Sequence, residues 1–320
     1  MDPNLLHVVT AIYNPVRWRT RIEHCRRFAA HMLDSGVNLT IVECALGNRP
    51  HELDDLAGVE HIGVRARTLA WNKEALLNLG ITRSRYRTPY IAWIDADVLF
   101  HKAHWASDTV HALQQYAVVQ PWSSALDLGP DGEPMLINGF HVQTSFAKVW
   151  HETMEIKASP AGTAAYAYGW AYPHPGFAWA IRRDTLNDIG GLIEASGLGA
   201  GDHQMAMAFI GRIENAIHGE THPHYQAMVR GWAEKAYKYV LGNVGYVGGT
   251  VSHLWHGEKS RRKYQERWRV LVDEQFDPLV DLSRNLDGVI ELAGNKPRLA
   301  HRFDRYFRER DEDANIRCED

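Results

Sequence analysis

The sequence predicts an α/β fold: a mainly parallel central sheet flanked by helices, with a helical C-terminal part. Three observations predict it. Short apolar, β-branched runs alternate with helical patterns through the first hundred residues, as expected of βα units that feed a parallel sheet. One of these runs, Tyr90 to Ile94, ends abruptly on two aspartates. Helical periodicity dominates from Asp202 onward.

Leu6 to Ile12 is rich in strand formers, and Asn14-Pro15 interrupts it. From Val16 to Leu33, apolar residues recur at three- and four-residue steps (Ile22, Cys25, Phe28, Ala29, Met32), which defines one buried helix face. Leu39 to Cys44 reads as the second strand, closed by the turn Gly47-Asn48-Arg49-Pro50. A third strand over His61 to Val64 leads to a helix near Leu69 to Leu79, and Tyr90 to Ile94 is the fourth. Beyond Ala117 to Gln120 the pattern is irregular, and the aromatic run Tyr166 to Pro173 suggests a substrate platform. Phe177 to Ile181 then reads as a strand. A short helix from Asp184 and a turn at Gly190-Gly191 follow. Helical patterns cover Asp202 to Ile210, His224 to Tyr239 and Lys259 to Glu274, with a strand over Thr250 to Leu254. The segment from Pro297 reads as an amphipathic helix that frays at its end.

Composition excludes several classes. With 35 basic and 39 acidic residues the net charge is -4, so no global field marks a non-specific nucleic-acid binder. No apolar run approaches the roughly 18 residues of a membrane span, and the first residues lack the signature of a secretory signal. A cytoplasmic protein is the expectation. Three scattered cysteines make no disulfide framework.

Chemistry concentrates in three places. In open α/β sheets ligands bind outside the carboxyl ends of strands, which is where Asp95 and Asp97 fall. Two carboxylates at i and i+2 can reach one hard cation where the backbone bends, so Mg²⁺ or Mn²⁺ is expected there. The second element is His253-Leu254-Trp255-His256, after a glycine-rich approach. Imidazole suits Mn²⁺ as a borderline ligand. Residues three apart in a strand point to opposite faces, so only one of these histidines, His256, is expected at the metal. The third is Gly197 to His203, a glycine-rich loop that delivers Asp202 either as a helix N-cap or as a general base. Its glycines would let the backbone approach a bound ligand closely.

In this order the three elements resemble GT-A glycosyltransferases, and within them the catalytic region of the β-1,4-galactosyltransferase type. There an aspartate pair at a strand end, a glycine-rich loop carrying an aspartate, and an M-x-x-H or H-x-x-H segment follow one another. The resemblance implies a Rossmann-like GT-A fold over residues 1–275, with a nucleotide-binding half (1–120), an acceptor-binding half (121–275) and a C-terminal helical extension (276–320). It implies transfer from a nucleotide-diphosphate sugar, a UDP-sugar first, to an acceptor hydroxyl, with inversion and with Asp202 as base. Metal ligands would be Asp95, Asp97 and His256. Donor contacts would come from Thr10, Ala11, Tyr13, Asn14, Glu43, Asn72, Lys73, Asp95 and Lys259, the last opening a basic segment with Arg261, Arg262 and Lys263 that could close as a lid. Arg65, Arg67 and Trp71 fall near the same place. The sequence departs from the family pattern where Leu198 replaces a loop tryptophan and Gly201 a glutamate, which leaves the acceptor open: a glycan, a protein, or hydroxymethylated bases of phage DNA. A nucleotidylyltransferase and a non-catalytic nucleotide-sugar-binding module are the other readings.

Overall fold

The computed structural model describes residues 1–136, 142–156, 172–258, 261 and 263–314. Its centre is a seven-stranded sheet built from β1 (Leu6–Tyr13), β2 (Asn38–Leu46), β3 (Glu60–Ala66), β4 (Tyr90–Ile94), β6 (Val118–Gln120), β9 (Ala178–Arg182) and β10 (Val244–Tyr246). The strand order is β10-β6-β9-β4-β1-β2-β3. β1 pairs in parallel with both β2 and β4, β2 with β3, and β6 with β10, whereas β9 runs antiparallel between β4 and β6. The sheet is therefore α/β and mainly parallel, as the alternation of runs predicts.

A second sheet of four strands lies at the carboxyl end of the first. It comprises β5 (Val98–Phe100), β7 (Ser124–Asp127), β8 (Val142–Thr144) and β11 (Thr250–His253), in the order β5-β11-β7-β8. β12 (Leu282–Arg284) and β13 (Ile290–Leu292) pair as an antiparallel hairpin and complete the strands among the described residues.

Helices cover both faces of the large sheet, which is why β1 and β2 are almost continuously buried instead of alternating. Val8 and Ile12 enter one apolar cluster, with α1 (Arg19–Asp34) and α3 (Trp105–Ala112). Val9 and Tyr13 enter the other, with α2 (Lys73–Arg83), α4 (Phe146–Thr153), α5 (Arg183–Ile189), α6 (Gly201–Phe209), α7 (Pro223–Val240), α8 (Tyr264–Asp273) and α9 (Pro297–Arg308). α1 starts at Arg19 and not at Val16, because Arg17 takes a left-handed φ of 67° and the Asn14 side chain bridges to the main chain of Trp18.

Past α9 the chain does not fray at once. Residues 309–314 fold back along α1, whose N-cap Trp18 offers no side-chain acceptor. Asp313 supplies it from 294 residues away: its carboxylate accepts from the Arg19 and Thr20 amides at 2.9 and 3.0 Å. No helix among the described residues is long and apolar enough to cross a membrane.

α2 lies close on the sheet because position 80 is glycine. A Cβ there would come within 2.5 Å of Val9 Cγ1 and 2.7 Å of Val42 Cγ2. Gly80→Ala is therefore expected to destabilise the fold by about 1–3 kcal/mol through overpacking, only partly offset by the better helix propensity of Ala, worth about 1 kcal/mol. Urea denaturation measures this, and a variant as stable as the parent contradicts the packing.

Candidate active site

A cleft of about 230 Å³ opens where β1 and β4 end, lined among others by Ala11, Trp71, Lys73, Asp95, Asp97, Asp202, His253, His256 and Glu312. One cluster in it follows from strand register. Asp97 leads into β5, β5 pairs antiparallel with β11, and the register sets Val98 opposite His253. The Leu254 amide then donates to the Asp97 carbonyl at 2.8 Å. β11 ends at His253, so the chain from Leu254 to His256 leaves the extended conformation and the two imidazoles turn to the same side. Alternation along a strand, which predicts divergence, does not reach past its last residue. His256 Nε2 lies 3.2 Å from Asp97 Oδ2, His253 Nε2 lies 3.7 Å from it, and the two Nε2 atoms are 3.1 Å apart.

The charges behind these groups fix their orientation. β7 runs parallel to β11 with Asp127 in register with His253, and Asp127 Oδ1 accepts from His253 Nδ1 at 2.7 Å. Glu312, from the C-terminal segment, stands 3.7 Å from His256 Nδ1. Each imidazole thus has a carboxylate at Nδ1 and directs Nε2 at Asp97, the arrangement that orients metal-ligating histidines. Burial opposes an imidazolium at His253, yet Asp97 and Asp127 outweigh it and lift its pKa to about 9. Burial likewise opposes ionisation of Asp97, but His253 and His256 hold its carboxyl far below the usual range. This place favours positive charge.

Three observations fit a divalent cation here. Asp97, His253 and His256 offer one ligand atom each within 4.8 Å of one another. Asp97 Oδ1 is buried without a hydrogen-bond partner. Ligand atoms adjacent around an octahedral cation with bonds of about 2.0–2.1 Å are about 3 Å apart, close to the 3.1 and 3.2 Å separations.

Beside this triad, Lys73 Nζ at the start of α2 is held between Asp95 Oδ1 at 2.7 Å and Asp202 Oδ2 at 3.1 Å. Asp95 therefore faces the ammonium, and the triad takes in His253 in its place. Asp202 lies in the first turn of α6, where Ala200 is the N-cap, so it does not cap the helix. Glu74 adds a third carboxyl. A Cβ on Gly201 would come within 2.3 Å of Glu74 Oε1, so glycine at 201 makes room for that carboxyl. Gly197 and Gly199 similarly accommodate Leu271 and Arg267, so the loop's glycines serve close packing against protein side chains. Burial pushes Glu74 up to about 7 against the pull of Lys73, and burial raises Asp95 to about 6 against the same lysine.

The structure brings Ala11, Trp71, Lys73, Asp95, Asp97, Asp202 and His256 to the cleft and gives the other expected residues that it describes different surroundings. Glu43 is spent on the chain itself: it accepts from the Glu52 and Leu53 amides and from His61 Nε2, and lines a smaller hollow beside β2. Tyr13 donates to the Thr68 carbonyl within the core, and Asn14 holds the turn before α1. Thr10 and Asn72 are buried, and Thr10 Oγ1 and Asn72 Oδ1 have no hydrogen-bond partner. Arg65 and Arg67 bind the main chain near Gly47 and the Glu291 carboxylate of β13. Lys259 and Arg262 lie outside the described residues, as does most of the aromatic run from Tyr166. Arg261 and Lys263 pair with Asp311 and Glu309 and so grip the C-terminal segment.

Sequence reasoning missed Asp127, Glu312 and Glu74. Asp127 is detectable once β7 is aligned with β11. Glu312, in the segment expected to fray, carries no local signal.

No family profile matches the sequence, and no curated protein matches it. Solved structures with a similar chain path include S. aureus TarS residues 1–349, with TM-score 0.43 and 10% identity over 83% of this chain; the match spans 64% of that chain's length. Another is glucosyl-3-phosphoglycerate synthase from Mycobacterium tuberculosis in complex with Mn²⁺, UDP and phosphoglyceric acid, with TM-score 0.39 and 11% identity over 86% of this chain and 77% of that one. A third is the catalytic domain of Drosophila β1,4-galactosyltransferase 7 in complex with xylobiose, with TM-score 0.37 and 14% identity over 91% of this chain and 94% of that one.

Lys73→Gln removes the ammonium held among Asp95, Asp202 and Glu74. The folded-state pKa values of Asp95 and Glu74 then rise further above the unfolded values, so the stability these two groups contribute is present at low pH and lost as pH rises. The variant is expected to lose more stability above the Glu74 value of about 7 than below the Asp95 value of about 6. Urea denaturation at the two pH values measures the difference, and equal losses contradict the cluster.

Proposed function

We propose that this chain is a metal-dependent glycosyltransferase that moves a sugar from a nucleoside-diphosphate donor, a UDP-sugar first among them, to an acceptor hydroxyl. One observation carries the reading. Asp97, His253 and His256 converge next to the Lys73–Asp202 pair in a single cleft at the carboxyl ends of β1 and β4.

Asp97, His253 and His256 would hold the cation, and two imidazoles favour Mn²⁺ over Mg²⁺. When bound, the cation offsets the charge that develops on the leaving nucleoside diphosphate. Asp127 and Glu312 keep the imidazole lone pairs aimed at it. Lys73 fixes Asp202 toward the cleft, and the Asp202 carboxylate accepts the proton of the acceptor hydroxyl as its oxygen attacks, which gives inversion at the anomeric carbon. Base catalysis of this kind contributes about 10² to 10⁴ in rate. Trp71 lines the same cleft, and its indole Nε1 is buried without a partner. The DNA reading gains nothing from α9, whose Arg302, Arg305 and Arg308 pair with Asp273, Glu309 and Asp304.

Screening nucleotide sugars with Mn²⁺ should find one that is turned over, with activity abolished by chelation and by Asp97→Ala. Asp202→Asn should lower transfer by about 10² to 10⁴ with donor binding retained. Unchanged transfer in Asp202→Asn, or a product of retained configuration by proton NMR, removes the base role and leaves the metal site standing.

Glu312→Gln should weaken Mn²⁺ binding by about 10- to 100-fold, the usual cost of losing a partner behind a ligating histidine. Calorimetry on a variant of native circular dichroism measures it; unchanged affinity would contradict the assigned role of Glu312.

A further inference from the structure

Away from the cleft, α7 begins with Thr221-His222-Pro223-His224, and this start packs against the segment after α8 that carries Asp277. His224 Nδ1 lies 2.8 Å from Asp277 Oδ2, and His222 Nδ1 lies 3.8 Å from the same oxygen. The three residues offer ligand atoms that all fall within 4.8 Å of one another, and none of them lines the cleft.

We propose that His222, His224 and Asp277 form a second cation site, one that takes Zn²⁺ and clasps α7 to the segment leading into β12. Imidazole and carboxylate are ordinary zinc ligands, and a tetrahedral ion with bonds of about 2.0–2.1 Å separates its ligand atoms by about 3.3 Å. That value lies between the 2.8 and 3.8 Å separations found here.

The ligands are positioned before any ion arrives. Asp277 Oδ1 accepts from the Leu279 amide at 2.9 Å, and the Asp277 amide donates to Asp281 Oδ2 at 2.8 Å, so Oδ2 of Asp277 is left facing the imidazoles. Pro223 stiffens the link between the two histidines. His222 is the N-cap of α7, its Nδ1 accepting from the His224 amide at 3.2 Å, so that nitrogen is unprotonated, and an ion bound there takes its one lone pair in place of the amide hydrogen. The positive end of the α7 dipole opposes a cation, and the Asp277 carboxylate offsets it. The side chains of His222 and His224 are 26% and 52% exposed, so an ion can enter from solvent and keep water in its remaining position.

The test titrates Zn²⁺ by calorimetry into the untagged full chain carrying Asp97→Ala and His256→Ala, which disables the cleft triad. One Zn²⁺ per chain is expected. Adding His222→Asn and His224→Gln should abolish it, and Asn retains the cap that α7 needs. Asp277→Asn, which keeps the turn through Leu279, should weaken binding on its own. The proposal is overturned if the cleft-disabled chain, folded by circular dichroism, takes up no Zn²⁺, or if uptake survives loss of both histidines. Neither result bears on the cleft.

Discussion

The structure around the cleft depends on one electrostatic constraint: a half-buried carboxylate faces two imidazole nitrogens that stand 3.1 Å apart. Lone pairs and anionic oxygen at this spacing repel in a low-dielectric site unless positive charge lies among them. Against burial in both cases, His253 and His256 draw Asp97 far below its ordinary pKa, and Asp97 and Asp127 hold His253 well above its own. The four-stranded sheet holds the arrangement together. β5 and β11 bring Asp97 to His253, and β7 supplies Asp127 in register behind it.

The other half of the support comes from the far end of the chain. Glu312 is 1% exposed and lies between Arg21, which grips it with two nitrogens at 2.5 and 2.7 Å, and Arg310 at 2.6 Å. Removing one member of such a buried ionic group leaves the rest uncompensated, at a typical cost of about 3–5 kcal/mol. The same segment caps α1 through Asp313 and lies against Gly257, where a Cβ would come within 2.8 Å of the Asp311 carbonyl. The C-terminal segment therefore ties α1, the strand end at His253 and the wall of the cleft into one unit. Charge around Lys73 is balanced beside the triad, where three carboxyls share one ammonium.

Much of this is legible in the sequence, and the gaps have physical causes. β1, β2 and β4 are readable because strands buried on both faces are continuous β-branched runs. α7 is readable because eighteen residues keep one helical period. β5, β7 and β8 are three or four residues long, too short for periodicity to register. The aspartate pair is visible, but the division of roles within it is not, since Lys73 reaches Asp95 from another helix. Glu43 reads as a free strand-end acid only until His61 and two loop amides are folded onto it. His253 takes second place to His256 when a strand rule is carried three residues past the strand end. Asp127 and Glu312 act across 126 and 56 residues of sequence, and no local pattern encodes such a contact.

The central claim is that the cleft binds a cation and a nucleoside diphosphate together. Electron paramagnetic resonance titration of Mn²⁺, with and without UDP, tests it most directly in the parent chain and in His253→Ala. The account predicts one Mn²⁺ in the cleft, bound more tightly when UDP is present, with both the site and the coupling lost in the variant. Mn²⁺ binding that is indifferent to UDP and unchanged in His253→Ala would contradict it.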